Sequence, residues 1–362
     1  RRSTGLASPD GPEEYSPAPG WAIRKEISSV RVLVTGTTGM LGRGVALALA
    51  ARGDRVTVLQ RRPAKLGQRE VLADVSDSDA VRAAVTGHDA VIHLAAKVNV
   101  VGPEDEYLRI NVQGTRAVVD ACLAAGVERL VHVSSPSVAH PGKSLVGRGD
   151  DPADPVTARG PYARSKAHGE RVALGADGGE LAVLAIRPHL VWGPGDTQLI
   201  ARVVERARRG RLPLVGSGAA LIDTTYVSNA VDALLAALDH CVEARGRALV
   251  VTNGEPRPVA EILAAVCRAA GVRVPTRHVP VRLAHLGGAA VESLWALQDR
   301  FTPAGSGDDP PLTRFLVEQL STAHWFDQRL TRQILRWRPR VSLDEGFAEL
   351  ERWYAARPLT QA

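Results

Sequence analysis

A chain of 362 residues that is 45% hydrophobic, 4% aromatic and 23% charged can build a large globular core, and its composition gives no sign of disorder across the main body. Its formal charge is +6, but the basic residues, nearly all arginine, are scattered rather than gathered into a stripe for nucleic acid. No apolar run reaches membrane-spanning length: the nearest, 281–297, is cut by Arg282, His285 and Glu292 and reads as an amphipathic surface or lid helix. Cys122, Cys241 and Cys267 are odd in number and far apart, as expected of small core residues in a reducing, cytoplasmic setting.

Residues 1–28, rich in Pro, Gly, Ser and charge and without periodicity, read as an N-terminal extension outside the core. A β-branched run at 30–34 predicts a parallel strand buried on both faces; it breaks into Gly36, Gly39 and Gly42 and restarts as an alanine-rich helix. Strands follow at 55–59, ending in Gln60, Arg61 and Arg62, and at 70–73, ending in Asp74 and Val75. A short helix at 77–85 leads to a strand at 90–94, which runs into Ala95, Ala96 and Lys97. Then come a helix at 104–125, a strand at 130–133, a Gly-, Pro- and Asp-rich loop at 136–160, a helix at 161–176 and a strand at 181–186. The loop is long enough to expect that it covers a site. Strict alternation predicts an α/β fold with a doubly wound parallel sheet over 29–186. Beyond Arg187 the pattern loosens into helices near 199–209, 228–241 and 259–270 and strands at 212–215 and 249–252. This half, 187–362, is expected to form mainly a smaller mixed substrate lobe interleaved with the sheet, with a Gly-, Asp- and Pro-rich break at 303–311 before C-terminal helices.

Glycines 36, 39 and 42 suit a strand–loop–helix that receives a dinucleotide: they allow a tight turn, close approach of a pyrophosphate and close helix–strand packing. The spacing is GxxGxxG rather than GxGxxG, so its weight comes from its place between a strand and a helix. Tyr162 and Lys166 stand four apart on a predicted helix, hence on one face with Cβ atoms about 5–6 Å apart. An ammonium there is expected to favour the phenolate, lower the tyrosine pKa and make the phenol a proton donor or acceptor near neutral pH. Ser134, Ser135 and Ser137 begin where a parallel strand ends, the place where open α/β sheets bind ligands.

Together these segments resemble the extended short-chain dehydrogenase/reductases, the superfamily of NAD(P)-dependent epimerases and dehydratases, over nearly everything from Val30 onward. The matching motifs are Thr35 to Gly42, Asp74-Val75, His93-Leu94-Ala95-Ala96, Asn111 to Thr115, Val133-Ser134-Ser135, Tyr162 to Lys166, and Arg187-Pro188 with Gly193-Pro194-Gly195. The resemblance implies a Rossmann fold in which Gly36, Thr38, Gly39, Met40, Leu41 and Gly42 hold the pyrophosphate. It places Asp74 and Val75 beside the adenine, and Leu94, Ala95, Ala96, Lys97 and Pro188 along the cofactor. Ser135 would orient the substrate oxygen, Tyr162 act as acid/base and Lys166 hold the nicotinamide ribose. Ser135 is chosen over Ser134 and Ser137 because it stands three residues before Val138, the spacing such proteins show. Asn111 is expected to tie the sheet together.

Similar proteins that prefer NAD end the second strand with an acidic residue; here stand Gln60, Arg61 and Arg62, so NADP(H) is expected over NAD(H), with NAD(H) possible. Within the superfamily the similarity points to 3β-hydroxysteroid dehydrogenases and 2-alkyl-3-oxoalkanoate reductases, through Ala95 to Val98 with Gly102, Arg187 to Asp196 and Pro310 to Arg314. Where nucleotide-sugar epimerases carry a substrate-contacting asparagine, this chain has Leu190. The expected activity is a ketoreductase of the short-chain dehydrogenase/reductase type, moving a hydride between NADP(H) and a hydrophobic ketone or secondary alcohol of steroid, 3-oxoacyl or polyketide type. The alternatives are a nucleotide-sugar epimerase or dehydratase and a cofactor-binding regulator without turnover. Leu283, Leu286, Val291, Leu294, Trp295, Leu297 and Phe301 are candidates for an apolar pocket or for plain core. The helices at 104–125 and 161–176 form a four-helix homodimer interface in similar proteins. Neither nucleic acid, a membrane span nor a metal is expected.

Overall fold

The computed structural model describes residues 29–98, 102–140, 142–298 and 314–357. Seven strands form one parallel sheet: β1 (Arg31–Thr35), β2 (Arg55–Gln60), β3 (Arg69–Leu72), β4 (Ala90–His93), β5 (Arg129–Val133), β6 (Ala182–Pro188) and β7 (Ala248–Val251). Their order is β7-β6-β5-β4-β1-β2-β3, and every pairing is parallel. The β-branched runs explain why both faces are dry. Val32 and Val34 of β1 enter one core with Val58, Ile92, Val131 and Leu184, while Leu33 between them enters a second with Leu59, Val91, Leu130 and Val183. Helices Met40–Arg52 and Val227–Asp239 close the first face; Ser78–Val85 and Gly114–Ala125 close the second. The strand order reverses between β1 and β4, which opens a crevice at their C-terminal ends.

Two expectations need correction. The strand expected at 249–252 does not belong to the second lobe: as β7 it pairs with β6, Ala248 against Ala185 and Val251 against Pro188, so the sheet does not end at 186. A parallel partner is reached by a crossover, and linear order does not reveal which strand that will be. The segment 136–160 is not all loop, for it holds a 3₁₀ turn at Pro136–Ala139 and a strand at Leu145–Arg148. That strand buries only Leu145, so it shows no alternation to read. It joins a small mixed sheet in the order Arg257–Pro258, Leu221–Ile222, His324–Phe326, Leu145–Arg148, which forms the second lobe's floor. The extension at 1–28, Phe301, the break at 303–311 and residues 310–313 lie outside the described residues.

The helix Gly160–Leu174 is locked to β6 by a buried ion pair, Arg187 to both carboxylate oxygens of Glu170, each side chain 1% exposed. It also packs on a π-turn, Leu108–Gln113, between Glu104–Tyr107 and Gly114–Ala125. Asn111 in that turn ties segments together, as expected: its Oδ1 accepts from the Lys97 N–H at 2.7 Å, and its Nδ2 donates to the Lys97 carbonyl at 3.1 Å and to Ser165 Oγ at 2.9 Å. Cys122, Cys241 and Cys267 are buried and free. Among the described residues no helix is long and apolar enough to cross a membrane.

Candidate active site

At the crevice β1 breaks into its glycine loop. Gly36 has φ +80°, and a Cβ there would lie 2.7 Å from the Ala95 nitrogen; at Gly42 a Cβ would strike the Gly36 carbonyl oxygen. These two glycines are demanded by backbone packing. Gly39 is not: its nearest neighbour would be Gly36 O at 3.7 Å, so it leaves room for a ligand. As N-cap of Met40–Arg52 it makes no side-chain cap, and the first turn carries no acid, so the helix start offers free N–H groups to an anion. Gly42→Ala is expected to lower the melting temperature by an amount corresponding to about 1–3 kcal/mol and to weaken dinucleotide binding in a titration; unchanged values of both would contradict this packing.

A hydrogen-bonded chain fixes the loop beside β4. The Ala95 N–H donates to Thr35 Oγ1 at 3.0 Å and Thr35 contacts His93 Nδ1 at 2.8 Å, while His93 Nε2 meets Thr115 Oγ1 at 3.1 Å, whose hydroxyl donates to the Asn111 carbonyl at 2.8 Å. The directions at both ends make Nδ1 the acceptor and Nε2 the donor, a neutral ring. Burial, helped by the Lys166 charge, lowers its pKa to about 3.

One cleft of 2330 Å³ gathers every residue expected to act in catalysis or cofactor binding. Gly36, Thr38, Gly39, Met40, Leu41 and Gly42 line it at the loop; Gln60, Arg61, Arg62, Asp74 and Val75 at the ends of β2 and β3; Leu94, Ala95, Ala96 and Lys97 after β4; Ser135, Tyr162, Lys166 and Pro188 on the other side. The volume exceeds the few hundred to about 1,000 Å³ that a single small ligand occupies and suits a dinucleotide with a second ligand. Asp74 is pushed up by burial, but hydrogen bonds from Ser76 and the charges of Arg109 and Arg61 outweigh this and hold its pKa below the usual value.

Ser135 Oγ accepts from the Ser137 N–H at 3.3 Å and from Ser137 Oγ at 3.0 Å, which leaves its own hydrogen to point elsewhere. Ser134 Oγ is buried and has no partner among the described residues. Lys166 Nζ donates to the carbonyl of Val133, the last residue of β5, and burial lowers its pKa to about 8, partly offset by Glu170. The expected lowering of the Tyr162 pKa does not occur in this structure. Burial raises it, a hydrogen bond with Ser135 opposes that only in part, and no effect of Lys166 enters. The i, i+4 spacing gave proximity but not the loss of solvent around the phenol.

Of the candidates for an apolar pocket or core, the side chains of Leu294, Trp295, Leu297 and Phe301 lie outside the described residues. Leu283 and Leu286, on the helix Val281–Gln298, are 60% and 68% exposed and do not line the cleft; Leu145, Leu190, Leu212, Leu263, Leu320 and Phe326 do. Leu190 carries φ +44°, a left-handed backbone that costs a non-glycine residue of order 1–3 kcal/mol and persists only where its surroundings enforce it. Sequence reasoning also missed Glu349, Arg352 and Trp353 of the C-terminal helix, and His140, His189 and His324, all of which reach the cleft. Only His189 falls within a quoted motif, Arg187 to Asp196, and no role was read for it there.

With this geometry, the chain matches the model of the NAD dependent epimerase/dehydratase family over residues 32–252, and it belongs to that family. It is 39% identical over 342 residues to a 2-alkyl-3-oxoalkanoate reductase from Stenotrophomonas maltophilia, covering 90% of this chain and 100% of that one. It is 30% identical over 345 residues to a 3-beta-hydroxysteroid dehydrogenase from Mycolicibacterium neoaurum, covering 90% and 91%. A solved structure of MoeE5 in complex with UDP-glucose and NAD superposes with a TM-score of 0.69 at 28% identity, over 90% of this chain and 99% of that chain. The chain is thus an oxidoreductase or epimerase of the extended short-chain type.

Proposed function

We propose that the protein is an NADP(H)-dependent ketoreductase acting on a hydrophobic ketone, with Ser135, Tyr162 and Lys166 at the reacting carbon. The observation that carries this reading is the meeting of those three side chains with the glycine loop in one cleft, whose further lining includes Leu145, Leu190, Leu263, Leu320 and Phe326 beside Arg202, Arg206 and Arg352. The named relatives, a 2-alkyl-3-oxoalkanoate reductase and a 3-beta-hydroxysteroid dehydrogenase, support it. A cytoplasmic setting and a homodimer through the helices around 104–125 and 160–174 complete the proposal; light scattering would then read twice the chain mass.

The residues present fit a dinucleotide: the open space at Gly39 would take the pyrophosphate, and the buried Gln60 Nε2, without a partner among the described residues, would supply a donor toward the ribose. Gln60 Oε1 is taken by the Thr37 hydroxyl, so the side chain presents a donor where relatives that prefer NAD place an acceptor. With exposed Arg61 and Arg62 beside it, this arrangement suits a 2′-phosphate. Purified protein is expected to bind NADPH more tightly than NADH in parallel titrations, and Arg61→Glu with Arg62→Glu to weaken NADPH about tenfold or more. Equal or tighter NADH binding contradicts the preference.

When bound, the reduced nicotinamide supplies the hydride to the carbonyl carbon. Ser135, its lone pairs filled by Ser137, donates its hydrogen to the carbonyl oxygen and holds it against Tyr162. The raised pKa keeps Tyr162 a neutral phenol at pH 7, which is the form that gives a proton to that oxygen in reduction. Lys166, held by the Val133 carbonyl, keeps a positive charge on the ribose side below about pH 8.

A further inference from the structure

Three imidazoles line the cleft together with Leu145, Leu190 and Phe326. His140 caps the Pro136–Ala139 turn that follows Ser135, His189 follows Pro188, and His324 starts the strand His324–Phe326. All are buried, at 2%, 7% and 1% exposure, and all line the cleft. His140 and His324 bond to each other, Nε2 to Nε2 at 2.8 Å, with Thr322 Oγ1 also 3.0 Å from His324 Nε2, while the Nδ1 of each is buried without a hydrogen-bond partner among the described residues. Among the described residues no group of His, Cys, Asp or Glu is arranged for a metal ion.

His189 differs from the other two. Its Nδ1 contacts the Asp223 carbonyl oxygen, which can only accept, so Nδ1 carries the ring proton and Nε2 is left with a bare lone pair. The ring is held edge-on by Phe326, centroids 5.0 Å apart, and by His324 at 6.1 Å. Nε2 has no partner among the described residues and is not among their solvent-inaccessible atoms, so it opens on the cleft that the residue lines. Burial and the neighbouring His140 lower its pKa to about 4, with the Asp223 contact working the other way, so the lone pair persists at neutral pH. Val133 of β5 pairs with Ile186 of β6, so Pro188, the last residue of β6, is level with Ser135, and His189 follows it just beyond the strand end, with adjacent strands about 5 Å apart.

We propose that His189 determines substrate specificity, its Nε2 accepting a hydrogen bond from a hydroxyl that the substrate carries on a carbon beside the reacting ketone. The proposal rests on the ketoreductase reading and narrows it. A lone pair repels a carboxylate at that place and gains nothing from a hydrocarbon, whereas a hydroxyl satisfies it; sites built around such a bond reject analogues that lack the donor.

The test compares α-hydroxyacetophenone with acetophenone on wild-type protein, His189→Leu and His189→Gln, each checked by thermal melting. Two readouts are taken: kcat/KM with NADPH, and the dissociation constant of each ketone in the presence of NADP⁺. Wild-type protein is expected to favour the hydroxyketone about tenfold in both. His189→Leu should abolish the preference by losing the hydroxyketone alone, and His189→Gln, which keeps an acceptor, should retain most of it. An unchanged ratio in His189→Leu, or an equal loss for both ketones, overturns the proposal and leaves His189 a structural residue. If neither ketone oxidises NADPH, the ketoreductase reading fails, and the dissociation constants decide on His189 separately: a preference lost only in His189→Leu upholds it, and equal binding or none overturns it.

Discussion

Tyr162→Phe is expected to lower kcat for ketone reduction by roughly 10²–10⁴ while leaving NADPH affinity nearly unchanged. The phenol is the only proton donor assigned to the carbonyl oxygen, and its ring, which phenylalanine keeps, supplies the packing on Gly160–Leu174. Lys166→Ala should instead damage both quantities, because it removes the cation and leaves the Val133 carbonyl without its donor. The pH profile follows from the same two groups. Reduction needs the phenol protonated and Lys166 charged; both conditions hold at pH 7, and the rate should fall as pH rises past about 8, where Lys166 discharges. A stopped assay across pH 6 to about 10 on wild type and Tyr162→Phe checks both statements. A Tyr162→Phe protein with full activity removes the phenol from the mechanism.

A steep loss of stability in mild acid is the second expected result. His93, His132, His189 and His324 are each at most 7% exposed, and burial pushes their pKa values down: to about 3 for His93 and His324, about 4 for His189, and well below the usual 6.5 for His132. A ring that stays neutral when folded but takes a proton when unfolded stabilises the fold fully above pH 6.5, and that contribution drains away as pH falls toward the folded-state value. With four such rings, opposed by Asp223, whose pKa burial raises to about 6, the net slope approaches about 4 kcal/mol per pH unit between about pH 6 and pH 4, against a total stability of about 5–15 kcal/mol. Asp89 and Asp327, held at about 2 by hydrogen bonds from Arg31 and Arg329, act in the same direction at lower pH. Denaturant melts between pH 7.5 and about 4.5 should lose most of their midpoint, with proton uptake on unfolding. A midpoint that stays flat to pH 5 would mean that these rings are charged or exposed in solution.

What the sequence made legible was local. The glycine loop, Tyr162 with Lys166, and the strand-end Ser135 each declare themselves within a few residues, because tight turns, helix faces and strand termini impose short-range requirements on residue type. Long-range pairing was not legible. The run at 248–251 reads as a strand anywhere, and only the parallel register with Ala182–Pro188 makes it part of the main sheet. His189, His140 and His324 converge from three elements that share no spacing, and the tautomer that gives His189 its free lone pair depends on the backbone carbonyl of Asp223. The sign of the Tyr162 shift was misjudged for a related reason: sequence tells which charge lies nearby but not how much water a fold removes.

The most direct test of the central claim is net cofactor turnover by the purified protein. Incubated with NADPH and α-hydroxyacetophenone or a steroid ketone, it is expected to form NADP⁺ in proportion to the alcohol produced, and with UDP-glucose to leave the cofactor unchanged and the sugar untouched. Epimerised UDP-sugar with no net change in cofactor, and no ketone reduced, would contradict the account.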